Sequence, residues 1–287
     1  MRDTKMKKFL HHTVCTATVE YQRWISSTKM LLLLLLIVYT KEQLVEPLLE
    51  LTDLTGKPLQ LLEPGIALMG STNMMMVLPL IYLLLMGDFP RKDANMLFMI
   101  SRVGKAGWFF GQLLYAVEAA LTVLTAMIIF TTGWCAGNVC WNGGNWSDSV
   151  TKYYKETEID FKFNLITGRE YNQMDPVPVF LHSFCLVFLL LLFYSVILLL
   201  FSVYGNKVMG LAVCTILTAI GNSLSIFEIK PLMWFFPMAH TQIWLRNDEL
   251  LKIQTVPLAG SYLYFAIGIF VVGTAAWIGL KKQKRLI

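Results

Sequence analysis

Apolar residues in this chain gather into long unbroken runs rather than alternating or recurring once per turn. A bilayer core about 30 Å thick is crossed by about 20 residues of helix, whose backbone groups satisfy one another where lipid offers no partner. Five runs reach that length: Ile66–Met86, Gly107–Gly133, Val177–Tyr204, Val208–Ile229 and Leu258–Leu280. A sixth is shorter. Its uncharged centre, Met30–Tyr39, becomes a full span only by taking in Trp24 and Ile25 on one side and Leu44 and Val45 on the other. Lys29 and Lys41 would then snorkel to opposite surfaces. The pattern predicts an all-α polytopic membrane protein with six transmembrane helices, a single transmembrane domain over residues 1–287.

Between the runs the pattern changes character. Leu10, Val14, Ala17, Tyr21 and Trp24 form one stripe of a helix, with Lys7, Lys8, His11, His12 and Arg23 largely off it. This predicts an amphipathic interfacial helix over 1–28 on the inner membrane surface; the alternative is a helix packed on a partner protein. The basic start followed by Leu31–Leu36 imitates a secretory signal. No small-residue cleavage site follows Tyr39, however, so the segment is read as retained. Segment 41–65 sets Leu44, Leu48, Leu49 and Leu51 among acids and predicts a helix continuing beyond the membrane. Residues 134–176 form a polar loop too short for a large core of its own, hence a cap or lid. Residues 88–106, with Met96, Leu97 and Ile100 behind a basic edge, predict a small helix along the membrane, open to a soluble partner.

Composition agrees: 56% of residues are hydrophobic and 15% charged, well below the roughly 25% usual for soluble domains. The net charge of +5 could suggest nucleic acid, but its distribution argues for topology instead. With both termini inside, fifteen of the 24 Lys and Arg fall on the cytoplasmic side against four acids. These are six before the first span, Arg91, Lys92, Arg102 and Lys105 after the second, Lys207, and four in the tail. Positive residues are retained inside during insertion, so the doubtful first span is needed to place the N-terminal set correctly.

Glu118 is the one carboxylate deep within a run, eleven residues from Gly107. A charge there costs about 2.5–3.5 kcal/mol, so it must face a cavity, a partner helix or a proton. It either lines a translocation path or fixes packing through Tyr115 or Thr122. Asn222, with Ser223 and Ser225, offers interhelical hydrogen bonds beside Gly210 and Gly221. His182 reads as an interfacial hydrogen-bonding group. Cys135 and Cys140 share the 134–176 loop and could form a disulfide in an oxidising exterior if the chain turns at Gly137-Asn138. Asn145-Trp146-Ser147 matches a glycosylation acceptor. The sequence carries no zinc pattern, no phosphate-cradling glycine loop and no hydrolase motif, so no cofactor or metal is expected on this chain and it is not expected to be an enzyme.

Pro79 late in the second run, Gly87-Asp88 after it, and Ser101, Arg102, Gly104 and Lys105 leading into the third together resemble the permease subunits of type-2 ABC exporters. The resemblance implies that 88–106 is the coupling segment touching a separate ATPase subunit, with Arg91, Lys92, Ser101, Arg102 and Lys105 at that contact. It also implies that 230–257, with Trp234, Phe235, Phe236 and Pro237, is an outside re-entrant hairpin before the last span. On this reading ATP and Mg belong to the partner ATPase, and a second permease, identical or different, completes the path. Membrane lipids are the remaining partners and no nucleic acid is expected. The location would be a bacterial cell membrane and the cargo an antimicrobial peptide or lipid-like compound. A non-transporting sensor or scaffold, whose external loop binds a ligand or partner, is the alternative.

Overall fold

A computed structural model of the chain describes residues 2–91, 94–155, 165–246 and 256–282. Nearly all regular structure is helical. Among the described residues, Met99–Trp134, Pro176–Val203, Lys207–Ile226 and Leu258–Lys282 are helices long and apolar enough to cross a membrane. A fifth crossing is completed if the bent pair Glu63–Gly70 and Thr72–Leu85 counts as one span. The chain is therefore a helical membrane protein with four or five such helices.

The two weakest runs are where structure and pattern diverge. Helix α1 (Arg2–Ile25) is followed by α2 (Leu31–Thr40), which passes through a π-helical turn at Lys41–Val45 into α3 (Glu46–Thr55). That turn lets Lys41 and Glu42 stay exposed while Leu44 and Val45 are buried, a register shift that a regular helix would not give. Only ten of these residues, Leu31–Thr40, form an uninterrupted apolar helix, so the expected first span does not reach crossing length by itself. The second run is not straight. Helix α4 (Glu63–Gly70) meets α5 (Thr72–Leu85) at 77°, with Ser71 in an extended conformation between them. Pro79 lies inside α5 without ending it.

Helix α6 (Ala94–Trp134) is broken at Gly104, whose φ of +80° and ψ of 158° fall in a region that is essentially glycine-only. From Ala106 to Trp134 it rises about 43 Å at 1.5 Å per residue, more than the hydrocarbon thickness of about 30 Å. α1 packs along it. Thr16 Cβ lies 2.6 Å from where a Cβ on Gly111 would stand, so the missing side chain is what permits the contact. Tyr21 and Thr122 join hydroxyls at 2.8 Å, and Phe9 packs edge-on to Phe110. The face turned to α6 is Thr13, Thr16, Ala17, Glu20 and Trp24. Leu10 and Val14 of the expected stripe are instead about half exposed, on a neighbouring face with Met6. The stripe is real but is divided between a helix partner and the surroundings.

Beyond α6 a short parallel pair forms between β1 (Leu59–Gln60) and β2 (Val139–Cys140). Helices α7 (Asp148–Lys155) and α8 (Gly168–Gln173) follow, then α9 (Pro176–Val203) and α10 (Lys207–Ile226). The short α11 (Pro237–Thr241), set between 3-10 turns at Leu232–Phe235 and Ile243–Arg246, precedes α12 (Leu258–Lys282). α9 is the central helix, packing against α12, α10, α4 and α6. α10 and α12 leave apolar faces open, with Phe270 73% and Val208 76% exposed, as lipid-facing surfaces require.

Candidate functional site

The two ends of the bundle differ in chemistry. At one end Asp88, just after α5, gathers three elements. Lys29 Nζ lies 2.6 Å from its carboxylate and Lys207 Nζ donates to its carbonyl at 2.8 Å. The Lys29 hydrogen bond holds Asp88 below the ordinary carboxylate range. Both side chains of the Lys29–Asp88 pair are substantially exposed, so it is worth at most about 1 kcal/mol and acts mainly as a locator. Beside it Glu20, Trp24, Phe89, Arg91 and Tyr115 line a small pocket. Trp24 Nε1 donates to the Leu85 carbonyl at 3.2 Å, tying α1 to the same junction.

The residues expected at an ATPase contact fall into three groups. Arg91 is half-buried beside Asp88. Ser101 and Arg102 are exposed on the short helical stretch before Gly104. Lys105 is occupied otherwise, donating to the Leu280 carbonyl at 3.2 Å and so joining the start of the long span to the end of α12. Lys92 lies outside the described residues, as do the side chains of Met96 and Leu97.

Glu118 and Asn222 do not belong to one site. Glu118 shares a side of α6 with Thr122, whose hydroxyl donates to the Glu118 carbonyl rather than to its carboxylate. Its Oε2 is buried without a hydrogen-bond partner among the described residues. Asn222 is buried on α10, its Oδ1 likewise without a partner. The adjacent Gly221 admits Met238 and Phe236, whose Cβ atoms stand about 3 Å from a Cβ built there. Ser223 and Ser225 return their hydroxyls to carbonyls of their own helix rather than to a neighbouring helix among the described residues. His182 Nδ1 meets the Tyr262 hydroxyl at 2.9 Å, joining α9 to α12.

The opposite end is a built cap. Cys135 and Cys140, the two residues that could form a disulfide, are separate thiols in this structure. The 3-10 turn Ala136–Asn138 leads Cys140 outward onto the β1 pairing, while Cys135 stays buried at the end of α6. Burial pushes the Cys135 thiol up to about 11, which makes it inert. Glu63, fully buried at the start of α4, accepts from the Gln60 N–H at 2.9 Å and the Ser147 N–H at 2.8 Å. Ser149 donates to the Lys57 carbonyl and Trp146 Nε1 to that of Met174. Thr167 and Glu170 form a capping box on α8. Burial pushes the Glu170 carboxyl up to about 7, and its Oε1 has no hydrogen-bond partner among the described residues.

The segment before α12 is pinned by a second buried network. His240 Nε2 faces the Trp234 carbonyl at 2.9 Å, which can only accept, so Nε2 carries the proton. Nδ1 then accepts from Ser261 at 2.7 Å, and Ser261 in turn accepts from Arg246, which also donates to the His240 carbonyl at 2.6 Å. Arg246 is fully buried. These residues were not among the sequence candidates. The Thr167-x-x-Glu170 spacing was a readable signal, whereas nothing in the local pattern marks Glu63, His240 or Arg246.

Among the described residues no group of His, Cys, Asp or Glu is placed to hold a metal. What the chain offers is charge at one end and a hydrogen-bonded cover at the other. No family model, no curated protein and no solved structure matches this chain.

Proposed function

We propose that the chain is the permease subunit of an ATP-driven exporter, with a separate chain hydrolysing ATP. The observation that carries this reading is the break at Gly104. It leaves a short helical stretch with exposed Ser101 and Arg102 at the Asp88 end, joined to the longest helix of the bundle. A push on that stretch would be transmitted along α6, and through Lys105 to the end of α12 and through Asp88 to the turn that leads into α2 and to α10. The basic end is then cytoplasmic and the cap external, with both termini inside. The continuous helix α2–α3 counts as the first crossing and the bent pair as the second, giving six. The hairpin around α11 dips into the outer leaflet, and a second permease completes a path for a hydrophobic or amphipathic cargo in a bacterial cell membrane. Fold architecture does not fix cargo, so its chemistry is an analogy with the resembled family.

Charge reversal tests this. Arg91→Glu with Arg102→Glu removes copurification of an ATPase from mild detergent while membrane insertion persists. Retained copurification with unchanged transport contradicts it. The folded cap favours a second reading, a sensor whose exposed cap surface binds a ligand. Replacing exposed Trp141 would abolish a sensor's output and leave an exporter's transport intact.

A further inference from the structure

Two adjacent residues of α8 face different parts of the bundle. Glu170, held by its capping box, is buried against the bend of the second span: its carboxylate oxygens lie 3.5 and 3.6 Å from where a Gly70 Cβ would stand. Arg169 turns the other way. Its Nη1 lies 3.0 Å from Glu228 Oε1, beyond the end of α10, and its guanidinium sits 5.8 Å from the centre of the Trp244 ring. Trp244 precedes Arg246 by two residues, so the contact reaches the network that pins the pre-α12 segment. Glu228 has φ of +47°, unusual for a residue with a side chain, and backbone strain of this kind persists only where the surroundings enforce it. The ordinary route for the chain there would be a glycine. A glutamate instead reaches Arg169.

We propose that α8 is an outer latch, clamping the bend between α4 and α5 to the hairpin between α10 and α12, and that the cap end of the bundle opens only when the Arg169–Glu228 contact releases. The latch is independent of what drives the bundle from the opposite end. An exporter would release it to discharge cargo, and a sensor would release it on binding.

Ser71, 7% exposed beneath Glu170, is the reporter. Cys15, Cys140 and Cys185, the exposed native thiols, are replaced by Ser, and Ser71→Cys is labelled with a membrane-impermeant maleimide in proteoliposomes. The latch predicts slow labelling in this parent and about fivefold faster labelling in Arg169→Glu. The exchanged pair Arg169→Glu with Glu228→Arg returns the rate to within about twofold of the parent, which a misfolded variant would not do. Glu228→Gln, isosteric and less disruptive, accelerates labelling in the same sense. Unchanged labelling in both single variants, or an exchanged pair as fast as Arg169→Glu alone, overturns the latch.

Discussion

A carboxyl group sealed under protein without an opposite charge resists ionisation, and one beside an ammonium group welcomes it. The chain holds both cases. Asp88, beside Lys29, is held below its ordinary range, and Glu170, beneath the cap, is pushed up to about 7 from 4.5. Because the folded value of Glu170 lies above the unfolded one, docking of α8 is favoured by the bound proton. That contribution is complete below about pH 4.5 and is lost as pH rises through about 7, for a total of roughly 3 kcal/mol. Hydrogen exchange of the 165–173 amides, corrected for intrinsic rate, should show more frequent opening at pH 8 than at pH 5. Glu170→Gln should remove the difference; an equal pH dependence in that variant would mean that another group titrates.

At the scale of elements, the α1–α6 contact shows how packing can run against hydropathy. Thr13 and Thr16 read as polar, yet they are buried because Gly111 lacks a side chain to hold them off. Gly111→Ala should lower stability by about 1–3 kcal/mol, read as a lower Tm in detergent, and Thr16→Gly should recover part of that loss. Equal Tm values for all three would mean that the helices do not meet there. The same logic separates what the sequence shows from what it hides. The helices that cover 107–133, 177–203, 208–226 and 258–280 are legible because of their length and apolarity. The bend at Ser71 is not, because Pro79, the visible breaker, sits eight residues away inside an intact helix. What lies at the bend is Glu170, with the Leu165 carbonyl beside Gly70, about a hundred residues distant in sequence. The π-helical turn at Lys41–Val45 is hidden for a similar reason, since it serves burial of Leu44 and Val45 against the bundle. Of the candidate residues, Arg91 and Arg102 stand out in the sequence by charge, whereas Ser101 is singled out only by the family resemblance. The tie from Lys105 to Leu280 is not legible there, because it joins a side chain to a distant backbone carbonyl.

At the scale of the whole molecule, the basic end and the cap end define an orientation that native thiols can report. Cys15 on α1 and Cys140 on the cap are both exposed. In single-cysteine variants on intact cells, an impermeant maleimide should label Cys140 at once and Cys15 only after permeabilisation; the reverse order would invert the topology. On the exporter reading, the open apolar faces of α10 and α12 would meet lipid and a second permease. On the same reading, the short stretch before Gly104 would be the contact through which the ATPase acts. The most direct measurement is a photo-crosslinking residue placed at Arg102 in native membranes. The exporter account predicts one dominant adduct, a polypeptide bearing an ATP-binding site, with a yield that changes when ATP is trapped on it. Adducts to lipid alone, or to a partner that binds no nucleotide, would contradict it.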